Sequence, residues 1–271
     1  ALVQAAEART GLRPRRRTDL LQQRITAWVQ RMATTQQRLR KQQEALHQAH
    51  GRLTEACQQA QERHVTLAEL EEYYHGRQRP ERPTSQLSVA RKRLNAAQQR
   101  TQSRERALQS AQRRLAKSQA HWNEQQEMLS RLQQRLARFE QENAANPALI
   151  EAEFRLDAGF GTYENVALLI EMGYEVYTKA NSHHVVTFLK GKSNPQTCWT
   201  RVGGNAQMAA WPGLLLRRCP YPLDVGLERF HTGDTIKHSA LLHFGVDPVT
   251  EDLPAWFHEY NGRQLVEAGI K

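Results

Sequence analysis

Apolar and small residues recur every seven positions along the first half of this sequence. One series runs Ile25, Met32, Leu39, Leu46, Leu53, Ala60, Leu67, and its companion runs Leu21, Trp28, Thr35, Gln42, Ala49, Ala56, Arg63, Leu70. Interleaved, they give the alternating four-three spacing that keeps one stripe on one side of an α-helix. The pattern stops at HGRQRPERPTS, residues 75–85, where Gly76, Pro80 and Pro83 break a helix and Thr84 or Ser85 can cap the next. It resumes as Leu87, Leu94, Thr101, Leu108, Leu115, Trp122, Leu129, Leu136, with Ala97, Arg104, Ala111, Ser118, Gln125, Leu132, Phe139 beside it, and ends between Asn143 and Pro147. Two periodic stretches of near-equal length, each roughly 80–85 Å long as a helix, predict an antiparallel coiled-coil hairpin over residues 18–147 with its turn at about 76–85. Each stripe needs a partner to leave water, and the other arm is the nearest one. A pairing between two copies, giving a homodimer, stays open.

From residue 153 the period changes. Phe154 and Leu156 alternate with Arg155 and Asp157, a short strand signal. Ala158-Gly159-Phe160-Gly161 reads as a tight turn. Thr162 can cap a helix carrying Val166, Leu168, Leu169, Ile170 and Met172, which Gly173 ends, and Tyr174 to Thr178 is a second strand. Strand, helix, strand in this space is a βαβ unit, with Asp157 at the carboxyl end of its first strand, where α/β proteins place functional groups. Residues 181–249 read as strand-rich. Val185–Leu189, Thr197–Val202 and Leu214–Arg218 are candidate strands, and Leu223–His231 and Thr235–Phe244 form a hairpin around Gly233. His183 and His184 lead into the first of these; in an extended strand neighbours point to opposite faces, so pairing them as metal ligands is poorly supported. His231, His238 and His243 are too loosely spaced to form one.

Charge divides the chain in the same place. Residues 1–150 hold 27 Lys and Arg against 14 Asp and Glu, a net of +13, whereas residues 151–271 carry a net of −3. A basic helical half attracts nucleic acid without reading its sequence, and it is also what a soluble helix surface looks like. The cluster Arg13, Arg15, Arg16 and Arg17 in the leader, residues 1–17, is a candidate phosphate contact or an exposed linker, and Pro14 argues against a rigid helix there. Asp19 suits the first turn of the helix that follows. No apolar run approaches the length of a membrane span. Cys57, Cys198 and Cys219 are too dispersed for a disulfide framework or a zinc site. No Gly-rich Lys-Ser/Thr loop for a nucleotide is present. These features predict a cytoplasmic protein without membrane or nucleotide partners.

The last element begins near Thr250, with Glu251 and Asp252 in its first turn. Tyr260, Arg263, Glu267 and Lys271 follow at spacings of three, four and four, which share one helix face; by spacing alone this is an ordinary amphipathic helix.

Two segments carry a resemblance. FRLDAGFGTYENVALLIEMGY, residues 154–174, resembles the second-acid segment of DDE-type transposases of bacterial insertion sequences, and WFHEYNGRQLVEAGIK, residues 256–271, resembles their third-acid helix. Tyr260, Arg263 and Glu267 match that helix residue by residue. Lys271 lies four residues past Glu267, closer than the family's lysine, which usually stands about two turns beyond. The strand-rich stretch between the segments is similar to the β insertion some of these enzymes carry. The resemblance covers roughly residues 150–271 and implies a partial ribonuclease-H-like core with a β-rich insertion at about 181–249. The family's first Asp has no match and is expected upstream of Ala1, so the 271 residues by themselves are expected to be inactive.

The resemblance implies that Asp157 and Glu267 are catalytic metal ligands for two Mg²⁺ (or Mn²⁺) ions. Such ions prefer hard oxygen donors and act on the attacking and leaving oxygens of a phosphodiester. It implies that Tyr260, Arg263 and Lys271 support the site or contact DNA, that double-stranded DNA is the substrate, and that the protein is bacterial and nucleoid-associated when bound. A transposase-derived scaffold that binds DNA without cutting it is the alternative, and a coiled-coil organiser of another kind is a third.

Overall fold

The computed structural model describes residues 2–75, 84–146, 150–246 and 248–261. The chain divides into two compact units. One comprises residues 1–25 with 132–271, the other residues 26–131.

The second unit consists of the outer parts of two long helices, α2 (Thr18–Tyr73) and α3 (Thr84–Ala144). They run antiparallel. The Trp28 indole N–H donates to the Gln125 carbonyl (3.1 Å), the Thr101 hydroxyl donates to the Ala56 carbonyl (3.3 Å), Arg91 pairs with Glu71 (2.8 Å), and the Tyr74 hydroxyl donates to Gln86 (2.8 Å). The heptad positions of the sequence are the less exposed ones along both arms, from Met32 and Leu39 to Leu94 and Ala97, with Arg63 and Arg104 as exposed exceptions. An arginine reaches water by extending its stem past the seam, so the stripe continues around these two positions. The expected breaker residues Gly76, Pro80 and Pro83, and Pro147 at the far end, lie outside the described residues.

The first unit opens with α1 (Leu2–Thr10), a helix in the stretch read as a leader. Residues 11–17 are not helical, in keeping with Pro14, and α2 starts at Thr18 with Asp19 in its first turn. Asn143, near the end of α3, accepts from the Arg16 backbone N–H (2.8 Å) and donates to the Arg16 carbonyl (3.0 Å).

The α/β part is built on one six-stranded mixed sheet. Its strands are β1 (Glu153–Leu156), β2 (Glu175–Lys179), β3 (Thr200–Arg201), β4 (Ala206–Leu215), β5 (Pro222–Thr232) and β6 (Thr235–Phe244), in spatial order β1-β2-β6-β5-β4-β3. β1 and β2 are parallel, and every other pairing is antiparallel. Between β1 and β2 runs α4 (Tyr163–Glu171), capped by the Thr162 hydroxyl, which accepts from the Asn165 N–H (3.3 Å). Gly173 ends it at φ +91°, and an added Cβ there would strike the Arg15 carbonyl. The β5–β6 hairpin turns through Gly233 at φ +57° as the sequence indicates.

Three strand expectations need correction. Residues 183–192 form a helix, α5 (His183–Lys192), capped by Ser182, and not a strand at Val185–Leu189. Val185 and Leu189 are both buried, and their i,i+4 spacing packs one helix face. The Thr197–Val202 candidate shrinks to the two residues of β3, and the strand expected at Leu214–Arg218 instead ends at Leu215. Strands β3 to β6 extend the same sheet through the β2–β6 pairing.

Helices cover both faces. α4 and α5 contact β2, β5 and β6, and α6 (Leu253–Asn261) contacts β3 and β4. The α6 side buries Tyr177, Val202, Ala206, Met208, Leu241, Leu253, Trp256 and Tyr260 in one cluster.

The inner ends of α2 and α3 join this sheet through Glu171, the last residue of α4. Its side chain is fully buried. One oxygen takes the Tyr221 hydroxyl (2.9 Å) and Arg24 of α2, and the other takes Arg135 of α3 (2.6 Å). Removing one partner of a buried ion pair leaves uncompensated charge. Glu171→Gln is therefore expected to destabilise this unit by about 3 kcal/mol, the low end of the usual range because both arginines keep some solvent contact. Urea unfolding monitored by circular dichroism checks this, and a wild-type midpoint would refute it.

Candidate functional site

The site suggested by the sequence lies where β1 and β2 end. Asp157 follows β1 directly and is exposed. Its Oδ1 accepts the Ala158 N–H (2.8 Å), and its carbonyl accepts the Phe160 N–H (2.9 Å), so a tight turn holds the carboxylate. Gly161 closes that turn against β2, where an added Cβ would clash with the Lys179 carbonyl and the Thr178 hydroxyl. Leu156 pairs with Thr178 in the parallel register, so the ends carrying Asp157 and Lys179 lie side by side.

α6 reaches the same place. Asp252 Oδ1 accepts the Ala255 N–H (2.9 Å), so this acid caps α6 ahead of its first turn. Arg155 of β1 pairs with Glu259 of α6, and the Tyr260 hydroxyl donates to the Leu156 carbonyl (3.4 Å). Tyr260 is buried, which sets its side chain inside the fold. Arg263, Glu267 and Lys271 lie outside the described residues, as do Gly262 and Gly269.

Beside the Asp157 turn, a groove of about 610 Å³ is lined by Gly161, Thr162, Tyr163, Glu164, Asn181, Ser182, His184, Arg217 and Arg218. Glu164 is the acid among them, and Arg217 and Arg218 are the arginines, all three exposed. His183 and His184 open α5, and His184 donates its backbone N–H to Ser182 (3.3 Å).

The arginine cluster of the leader separates into different roles. Arg16, grouped with its neighbours as a phosphate contact, is 3% exposed. Its guanidinium pairs with Glu7 (2.6 Å) and Glu142 (2.5 Å) and donates to the Met172 carbonyl (3.0 Å). This corrects the sequence reading: α1 supplies Glu7, and the arginine ties three segments together. Arg13 donates to the Glu142 carbonyl (2.7 Å), Arg17 pairs with Asp19 (3.0 Å), and Arg15 is exposed.

Two polar groups on the α6 side escaped sequence reasoning. His243 of β6 is buried between Glu175 (2.8 Å) and Asp224 (3.4 Å), against the rings of Tyr177 and Trp256. Glu228 of β5 is fully buried, accepts from Ser239, and lies 3.6 Å from the Lys179 ammonium. Burial pushes its carboxyl above the ordinary value, against the pull of Lys179 and Ser239. In sequence, Glu228 reads as the wet side of an alternating strand. Its signal is visible only once α6 is known to cover that face.

Asp157 offers the hard oxygen that a divalent cation prefers. Among the described residues there is no group of three or more His, Cys, Asp or Glu side chains able to hold a metal, and the match to the expected donor set rests on Glu267. No described helix is long and apolar enough to cross a membrane. Comparison with protein-family models, curated proteins and solved structures gives no match to this chain.

The Glu7–Arg16 pair makes a pH prediction. Burial would raise the Glu7 carboxyl, but hydrogen bonds from Arg16 and Tyr174 and the charge of Arg16 hold it below its ordinary value of 4.5. A carboxyl depressed on folding contributes stability that is present above its unfolded pKa and lost as pH falls through its folded one. Urea unfolding across about pH 3–5 is expected to show this loss in the wild type. Glu7→Gln should be less stable near neutrality and show a flatter acid limb. An unchanged limb would mean the pair carries no linkage.

Proposed function

We propose that residues 150–271 supply the second- and third-acid segments of a DDE-type transposase core, a ribonuclease-H-like fold acting on double-stranded DNA. The reading is supported by one contact above all. The Tyr260 hydroxyl meets the carbonyl of Leu156, the residue before Asp157, so α6, which precedes Arg263 and Glu267 in the sequence, is fastened beside the first of the two acids. A pair of carboxylates from a strand end and a following helix is what shared divalent cations need.

In this reading Asp157 and Glu267 hold Mg²⁺ or Mn²⁺, two ions in all together with a further Asp. When bound, the ions activate the attacking oxygen and stabilise the departing one. Asp157 is kept in place by its turn and by Gly161. Tyr260 braces the helix from below. Arg263 is suited to grip phosphate oxygens in a bidentate way, and Lys271 adds charge. The groove with Arg217 and Arg218, which also takes in Gly161 of the Asp157 turn, offers a DNA strand two basic side chains.

The second reading is a DNA-binding scaffold without cleavage, and the helical hairpin favours it. Every described lysine and arginine of residues 26–131 is exposed, which leaves a basic surface for phosphate on either reading. A second copy of the chain is a further partner for the hairpin, and the bacterial nucleoid is the expected location.

The two readings part on chemistry. In a polypeptide that also carries the family's first Asp, Asp157→Asn and Glu267→Gln are each expected to reduce Mg²⁺-dependent nicking of supercoiled DNA to background, with DNA affinity in EDTA preserved. Full nicking by either variant would end the assignment, and DNA affinity with no nicking by the parent protein would favour the scaffold.

A further inference from the structure

The sheet face under α6 holds a buried acid that fold stability does not call for. Glu228 sits in the middle of β5 with no exposed surface, opposite Ser239 of β6, and its Oε1 has no hydrogen-bond partner among the described residues. The remaining oxygen accepts from the Ser239 hydroxyl and faces Lys179 at 3.6 Å. Taking a carboxylate out of water costs several kcal/mol, roughly, and a single loose ion pair recovers only part of it; an apolar residue there would serve packing at least as well. The result is a fixed position for Lys179. Its ammonium is further confined over the rings of Phe230 (5.7 Å) and Tyr260 (5.5 Å).

That position is the end of β2. Lys179 is one residue past Thr178, the register partner of Leu156, as Asp157 is one residue past Leu156. Gly161, which closes the Asp157 turn, packs on the Lys179 carbonyl. A carboxylate and an ammonium are thus held at the tips of adjacent parallel strands. The Lys179 side chain keeps 28% of its surface exposed, so it is anchored from below without being sealed.

We propose that Lys179 contacts a backbone phosphate of DNA next to Asp157, and that Glu228, with Ser239, is its positioning residue. This rests on the nucleic-acid reading above. It adds to that reading a cation from the sheet itself, at the end of the strand beside the one that leads to Asp157. A compact ammonium on a restrained stem suits a phosphate oxygen, and its restraint lowers the entropy lost on binding.

The test is salt-dependent binding of a labelled DNA duplex in EDTA, which separates phosphate contact from catalysis. Lys179→Met alone leaves Glu228 buried without a counter-charge, so Lys179→Met/Glu228→Gln is measured beside it to keep the fold, with circular dichroism as the check. Each phosphate contact contributes about 0.9 to the slope of log affinity against log salt. Both Lys179 variants should lose about that much, and Lys179→Arg should retain it. Glu228→Gln alone should weaken binding at low salt by a smaller factor while the ammonium remains. Lys192→Met, at the exposed end of α5, removes the same charge and sets the size of the non-specific effect. A loss in the double variant no larger than that of Lys192→Met overturns the assignment while leaving the parent reading intact. A wild-type protein without salt-dependent DNA binding overturns both.

Discussion

Glu171 is the residue through which the helices and the sheet of the first unit become one body. It ends α4, the crossover between the two parallel strands, and it accepts Arg24 and Arg135 from two other helices and the Tyr221 hydroxyl from the segment before β5. Four separate stretches of chain therefore converge on one carboxylate with no solvent-accessible side-chain surface. Burial and the nearby Glu171 charge push the Tyr221 hydroxyl well above its ordinary pKa, so it stays a donor at any ordinary pH. Such an arrangement gives little net stability compared with apolar packing, because desolvation offsets most of the attraction. It does give a strict geometry, since each donor must meet its own lone pair. Arg16 repeats the logic with opposite sign nearby: one buried guanidinium takes Glu7, Glu142 and the Met172 carbonyl. Together the two clusters fix where α4 ends, and so where β2 begins.

Where burial follows one period on one element, the sequence was legible. The heptad stripes of α2 and α3, their antiparallel pairing, the Thr162 cap, the Gly173 stop and the Gly233 hairpin all follow from local rules that tertiary packing does not overturn. The failures share a cause. The α5 segment reads as a strand because Val185 and Leu189 sit in a short apolar run, and a run of that length suits a buried strand and a helix face equally. Ser182 before it is the available cue, an N-cap residue. Arg16 reads as one of a basic cluster because charge clusters are read by composition, while its burial depends on an acid in α1 and another at the far end of α3.

Glu228 and His243 were illegible for a deeper reason. A strand that alternates apolar and polar residues announces one dry face and one wet face. β5 and β6 have two dry faces, because α6 arrives from the end of the described chain to cover the second. No window of sequence around Glu228 contains that fact. The proposed metal site is legible only in part: Asp157 appears from strand and turn signals, whereas the weight given to Arg263, Glu267 and Lys271 rests on family resemblance and not on periodicity.

The polar rows beneath α6 bear on how firmly that helix is set. An apolar helix face on an apolar sheet can shift by a fraction of a turn at small cost, since dispersion and burial are nearly non-directional. Here the interface includes Arg155 bonded to Glu259, the Tyr260 hydroxyl on the Leu156 carbonyl, and Lys179 against the Tyr260 ring. Each has a direction, and each touches β1 or β2 near its carboxyl end. A shift of α6 by one residue would break all three together, and the buried Tyr260 hydroxyl left without the Leu156 carbonyl would alone cost about 1–3 kcal/mol. The helix register is therefore coupled to the strand that presents Asp157. Whatever follows Tyr260 along that helix begins from a position fixed relative to the acid, which is the condition any two-carboxylate chemistry at this end of the sheet would require.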